Sequence, residues 1–190
     1  PWSEEALVQY LRQGYSPDHG IAGGPMAPVV RSLAQAAEAD VRAMAHYLVS
    51  LRREGLPEAA VQAPRVTREA LLAGSRMLAA TSLGPAQRMF ESACGACHHD
   101  GDGPQVLGLN LPLALNPNLH AASPDNLLRT LLEGIQAPAF ARLGHMPAFR
   151  EAFDDRQLAE LAAYVRGRFA PGKPPWADLP GAVARARAAD

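Results

Sequence analysis

Two thiols and an imidazole fall within the short stretch Cys94-Gly95-Ala96-Cys97-His98. This order and spacing form the pattern for covalent haem attachment. Two cysteines with two residues between them can reach the two vinyl groups on one porphyrin edge, and the next side chain then falls under the iron. Other chemistries fit less well. A dithiol redox pair belongs in a strand–helix–strand setting, and nothing strand-like flanks this segment. A structural zinc site takes four ligands, but the chain has 2 cysteines in all. His99 adds an imidazole, and no second pair answers it.

With Cys94 and Cys97 binding the porphyrin and His98 as the iron's first axial ligand, the opposite axial ligand decides what the iron can do. Met146 lies in Gly144-His145-Met146-Pro147-Ala148-Phe149. A thioether is a soft ligand, and a His/Met pair raises the haem potential while filling the last coordination position. The iron then exchanges electrons without binding substrate. A lone methionine is more often core filler, but this one recurs in an internal repeat. His145 is the rival ligand and His120 a remoter one, whereas His19 and His46 read as surface or helix histidines. His98 also needs an acceptor for its other ring nitrogen, and the Pro112 carbonyl, with no ladder to join, is the candidate.

The elements that position these groups repeat along the chain. Ser3 caps a short helix that runs through Leu11 and stops at Gly14. Ser123-Pro124-Asp125 opens a second through Leu131 to Gly134, an offset of 120, with Pro124 expected at the first helical position. The same offset carries Met26, in Gly24-Pro25-Met26, onto Met146. Ala45-His46-Tyr47-Leu48 answers Ala162-Ala163-Tyr164-Val165 at an offset of 117. Residues 1–53 therefore read as the back half of the unit that residues 83–170 contain whole. The counterpart of Cys94 is expected upstream of Pro1, which makes Met26 the iron ligand of a second haem and predicts at least one more CxxCH in the intact protein.

The remaining segments are connections and packing. Residues 54–82 read as a linker with a helix from a Thr67 cap to about Ala80. Gly84-Pro85 opens the helix that leads into Cys94, and Phe90 is placed to pack near Tyr164. Residues 99–104 read as a tight polar loop, and 107–119 as irregular apolar chain around the haem edge. Asp154 and Gln157 form a capping box ahead of the apolar stripe Leu158, Leu161, Ala162, Val165. The tail, 171–190, is expected to be pinned by Trp176 and to end in a short or frayed helix.

Composition bounds the class. Hydrophobic residues make up 48% of 190, no run is long enough to span a membrane, and 18 basic against 19 acidic residues exclude a nucleic-acid-binding balance. Both cysteines belong to the motif, so no disulfide framework remains. The fold class expected is all-α.

The haem motif, Leu111-Pro112-Leu113 with Asn116, Met146-Pro147-Ala148-Phe149 and Leu161-Ala162-Ala163-Tyr164-Val165 resemble class I cytochrome c. More narrowly, the chain resembles the multihaem cytochrome c subunits of bacterial periplasmic dehydrogenases of alcohol, aldehyde, gluconate and nicotinate type. Gly24 to Val30 and the helix from Asp40 to Leu51 are similar to the end of the middle haem domain of that family. The resemblance implies a cytochrome c fold, one complete haem domain after half of another, and covalent haem c. It also implies a periplasmic place and no catalytic residues of the chain's own. Electrons would arrive from a partner dehydrogenase subunit and leave to quinone or to a cytochrome or oxidase. Any membrane association would not run through a transmembrane helix of this chain. Two departures stand out: one CxxCH where the family has three, and Ala86 where it usually has glycine. The alternatives are a haem-based sensor or peroxidase-like enzyme with a displaceable methionine, and a non-haem redox or metal-binding module.

Overall fold

The computed structural model describes residues 2–54, 67–81, 84–99, 106 and 108–189. Helices dominate them, and a single two-stranded antiparallel hairpin, β1 (Tyr15–Ser16) with β2 (Gly20–Ile21), is the only sheet among the described residues.

Helix α1 (Glu4–Gln13) begins where Ser3 Oγ accepts from the Ala6 N–H at 3.1 Å and ends at Gly14, whose φ of 79° is left-handed. Two further helices, α2 (Met26–Leu33) and α3 (Glu38–Glu54), complete the N-terminal part. Helix α4 (Arg68–Thr81) follows the predicted Thr67 cap, whose Oγ1 accepts from the Ala70 N–H at 3.2 Å. The expected linker at 55–66 and polar loop at 100–104 lie outside the described residues.

In the C-terminal part, α5 (Pro85–Ala93) runs into the cysteine motif with Pro85 at its start. The apolar segment after it is more ordered than expected. It forms a 3₁₀ turn at Leu113–Leu115 and a short helix, α6 (Pro117–His120), capped by the Asn116 side chain. Both prolines that break the pattern sit where a proline fits, Pro112 just before a turn and Pro117 at a helix start. Helix α7 (Asp125–Glu133) begins one residue later than expected, with Pro124 as its boundary residue. Helix α8 (Asp155–Phe169) carries both hydrogen bonds of the predicted capping box.

The main core lies between α5, α7 and α8. Phe90 is fully enclosed, with ring centroids 5.6 Å from Tyr164 and 5.5 Å from Phe169. Leu128, Leu132, Leu158 and Leu161 fill the layer beneath. The tail is not frayed. Helix α9 (Leu179–Ala188) buries Leu179, Ala182 and Val183 against this core, and the Trp176 indole N–H donates to the Ala121 carbonyl at 3.0 Å.

A second, smaller core joins the two parts of the repeat. Ala22, Ala27 and Val30 pack with Ala139 and Leu143 from the C-terminal unit. Elsewhere in the N-terminal part, α3 presents Met44, Tyr47, Leu48 and Leu51 to solvent, Tyr47 at 62% exposure. Its repeat counterpart, Tyr164, is instead packed on Phe90. Among the described residues no helix is long and apolar enough to cross a membrane.

Candidate haem site

Helix α5 delivers the first ligands. Its end is a tight turn: the Cys94 and Gly95 N–H groups both donate to the Phe90 carbonyl at 2.8 Å, and the His98 N–H donates to the Cys94 carbonyl at 2.8 Å. Gly95 is needed here, because a Cβ at that position would stand 2.8 Å from the Glu91 carbonyl oxygen. The turn curls the motif so that Cys94 and His98 line one cavity of about 590 Å³. That volume lies within the roughly 300–1,000 Å³ of small-molecule sites.

The cavity's other walls are largely apolar, with Asn116, Asn126, Arg129, Thr130 and Glu133 among the polar residues on the lining. Phe90, Leu111, Leu113, Leu119, Leu127, Leu131, Ile135, Leu161 and Val165 contribute to them, and Met146 lines the same space as His98. Met146 is held by its own backbone, since its N–H donates to the Ile135 carbonyl at 3.2 Å and its carbonyl accepts from the Ile135 N–H at 2.9 Å. The bridge ties the methionine loop to the end of α7.

Burial acts strongly on the ligand groups. It pulls the His98 imidazole down to about 4, with the neighbouring His99 charge adding to the effect. The ring is therefore neutral at physiological pH, the form that ligates a metal. Burial, with Cys97 second, pushes the Cys94 thiol up to about 11. Neither cysteine is tied up in a disulfide, which leaves both for the porphyrin. Soft methionine, neutral imidazole and the Cys94 sulfur on one largely apolar cavity, with Cys97 three residues on and outside that lining, together fit an iron porphyrin. Among the described residues no group of three or more His, Cys, Asp or Glu could hold a metal ion alone, so the zinc reading has no ligand set there.

One predicted contact is not made. Pro112 lines the cavity, but its carbonyl accepts from the Leu115 N–H at 3.2 Å, and His98 Nδ1 is buried without a hydrogen-bond partner. The carbonyl starts the 3₁₀ turn, which gives it a local donor that the sequence did not reveal. The rival ligands are elsewhere. His145 is exposed, and His120 Nε2 is engaged by the Ala114 carbonyl at 2.8 Å. His46 pairs with Glu4, and His19 stacks on Trp2.

Met26 also lines the cavity, as do Tyr10, Ile21 and Leu109. It opens α2 and does not sit in an extended loop as Met146 does, so the repeat preserves position but not backbone form. Two supporting contacts were not legible in the sequence, although Gly134 itself reads there as a helix stop. Asn110 Nδ2 donates to the Cys97 carbonyl at 2.6 Å. Gly134, with φ 68°, lies so close to the Met146 carbonyl that no Cβ fits between them.

The sequence is similar to known proteins. Residues 82–165 match the family described as cytochrome C oxidase, cbb3-type, subunit III. The chain is 47% identical over 188 residues to a nicotinate dehydrogenase subunit of Pseudomonas putida, covering 99% of this chain and 15% of that protein. It is 30% identical over 177 residues to the gluconate 2-dehydrogenase cytochrome c subunit of Pantoea cypripedii, covering 90% and 38%. Similarity to the fructose dehydrogenase cytochrome subunit of Gluconobacter japonicus is 29% over 188 residues, covering 88% and 37%. The chain thus spans between 15% and 38% of the length of these relatives. Residues 82–165, which hold the CxxCH motif and Met146, are thus similar to a cytochrome c family, and several of the relatives are named as cytochrome subunits.

Proposed function

We propose that this chain is an electron relay of a dehydrogenase complex. It would take electrons from a partner dehydrogenase subunit and pass them to quinone or to a cytochrome or oxidase acceptor, on the periplasmic side of the membrane. Substrate oxidation would belong to the partner, and this chain would hold no catalytic residue. The observation that carries the reading is that His98 and Met146 line one largely apolar cavity beside Cys94.

The bound haem supplies reversible one-electron chemistry at its iron. The chain's own residues set the conditions. Cys94 and Cys97 would anchor the porphyrin edge, and His98 and Met146 would hold the two axial positions. The leucine-rich part of the wall would keep water from that side of the porphyrin, which limits reorganisation when the charge changes and favours the lower-charged state. Pro112 would shape the wall beside His98.

A second haem, with Met26 as a ligand, is part of the proposal. Support comes from the repeat that carries Met26 onto Met146 and from the bare face of α3. On α8 the matching tyrosine is covered by Phe90 of the helix that carries the cysteines. The face around Tyr47 would take an equivalent haem-bearing helix of the same protein.

Carbon monoxide tests the relay reading. A ferrous iron with both axial positions filled should leave the Soret spectrum unchanged under the gas. Ready binding would favour the sensor or peroxidase-like alternative instead.

A further inference from the structure

We propose that α9 is a strap on the loop that carries Met146, with Arg187 as the positioning residue. This rests on Met146 as an iron ligand. Within the loop from Met146 to the start of α8, the Ala152 and Phe153 N–H groups donate to the Phe149 carbonyl and the Phe149 and Phe153 rings stack. Its upstream end is tied to Ile135, and the Phe149 N–H donates to the Leu131 carbonyl at 2.9 Å. Past that point the loop is tied to the tail by the bonds of Arg150 and Arg187, and Phe153 packs on the main core.

One guanidinium makes most of the connection. Arg187 Nη1 donates to the Arg150 carbonyl at 2.7 Å, Nη2 donates to the Phe153 carbonyl, and Nε pairs with Asp155. Arg150 Nη1 returns a bond to the Arg187 carbonyl at 3.1 Å. Three donors of one planar group thus end on the segment between the methionine and the first turn of α8, which a flexible single-point cation could not reproduce. Behind them, Val183 and Ala182 are buried in the main core, so the strap is itself anchored. None of these residues lines the cavity, and Arg187 acts only through the loop.

A sixth ligand on a loop competes with outside ligands in proportion to how often the loop opens. Fixing the loop at Arg150 and Phe153 keeps the open population low. Release of the strap should raise it without altering His98 or the haem attachment.

The ferric holoprotein titrated with imidazole tests this, read through the methionine-to-iron near-infrared absorption. R187A should bind imidazole about tenfold more tightly than the unaltered protein, and R187K should fall between them. R185A, whose side chain pairs with Asp178 at the start of the same helix, should match the unaltered protein. A merely stabilising role for Arg187 would lower the melting temperature and leave imidazole affinity unchanged, which would overturn the inference. Should R187A fail to accumulate, amide exchange of the unaltered holoprotein decides. Ala152 and Phe153 should open together with α9, and loop amides that exchange freely while α9 stays protected would overturn the strap. Absence of the near-infrared band from the unaltered protein would instead remove the ligand reading on which the strap rests.

Discussion

The Met146 carbonyl oxygen occupies the space that a side chain on Gly134 would need. Gly134 ends α7 with a left-handed φ of 68°, and the next residue, Ile135, makes both backbone bonds to Met146. The helix end and the ligand loop are thus fitted at one point. G134A should push the loop outward and weaken the ferric methionine-to-iron absorption while the haem stays covalently attached. Near-infrared spectra of the purified variant check this, and an unchanged band would contradict it.

The aromatic cluster behind the haem motif sets stability. Phe90 is 2% exposed and touches both Tyr164 and Phe169. F90A should cost about 3–5 kcal/mol, the usual range for deleting a buried phenylalanine ring. Denaturant melts of the holoprotein measure it, and a loss below about 1 kcal/mol would mean that the cavity wall collapses without penalty.

A buried cation joins the tail to the body. Arg166, 4% exposed, donates to the carbonyls of Leu119, Ala121 and Pro174 and lies 4.4 Å over the Trp176 ring. R166M keeps most of the volume but leaves those carbonyls without their charged donor. The expected loss is about 3 kcal/mol or more, since bonds to charged groups contribute roughly 1.5–3 kcal/mol each. R166K should recover only part of it, because an ammonium cannot span three carbonyls as the planar fork does. Thermal melts that rank the lysine variant level with the parent would contradict this account.

Covalent attachment separates the two thiols. C94A and C97A should each leave haem held by one link, still visible on a haem-stained denaturing gel. The double variant should lose all stain. Stain that persists in the double variant would mean another residue bonds the porphyrin.

Much of this was legible from residue order because the controlling interactions are local. The Ser3 and Asp154 caps, Pro85 at a helix start and the Cys94–His98 turn each depend on neighbours within a few positions. The Met146 position came from the repeat. The harder features depend on long-range partners. Arg187 belongs to an alanine-arginine run with no clear apolar stripe, and its role exists only once Arg150 and Phe153 fold beneath it. The Pro112 carbonyl was expected to face His98, but a local 3₁₀ turn offered the Leu115 N–H first. Sequence also missed that Ala139 and Leu143 fill the N-terminal core, since nothing in either segment signals its partner.

The central claim is that residue 146 supplies the second axial ligand. Residues 1–190 contain one CxxCH, so the ferric holoprotein of this chain offers a single attached iron to observe. M146A should abolish the methionine-to-iron near-infrared absorption and let the ferrous iron bind carbon monoxide. A variant that keeps the band, or a parent protein that never shows it, would contradict the account.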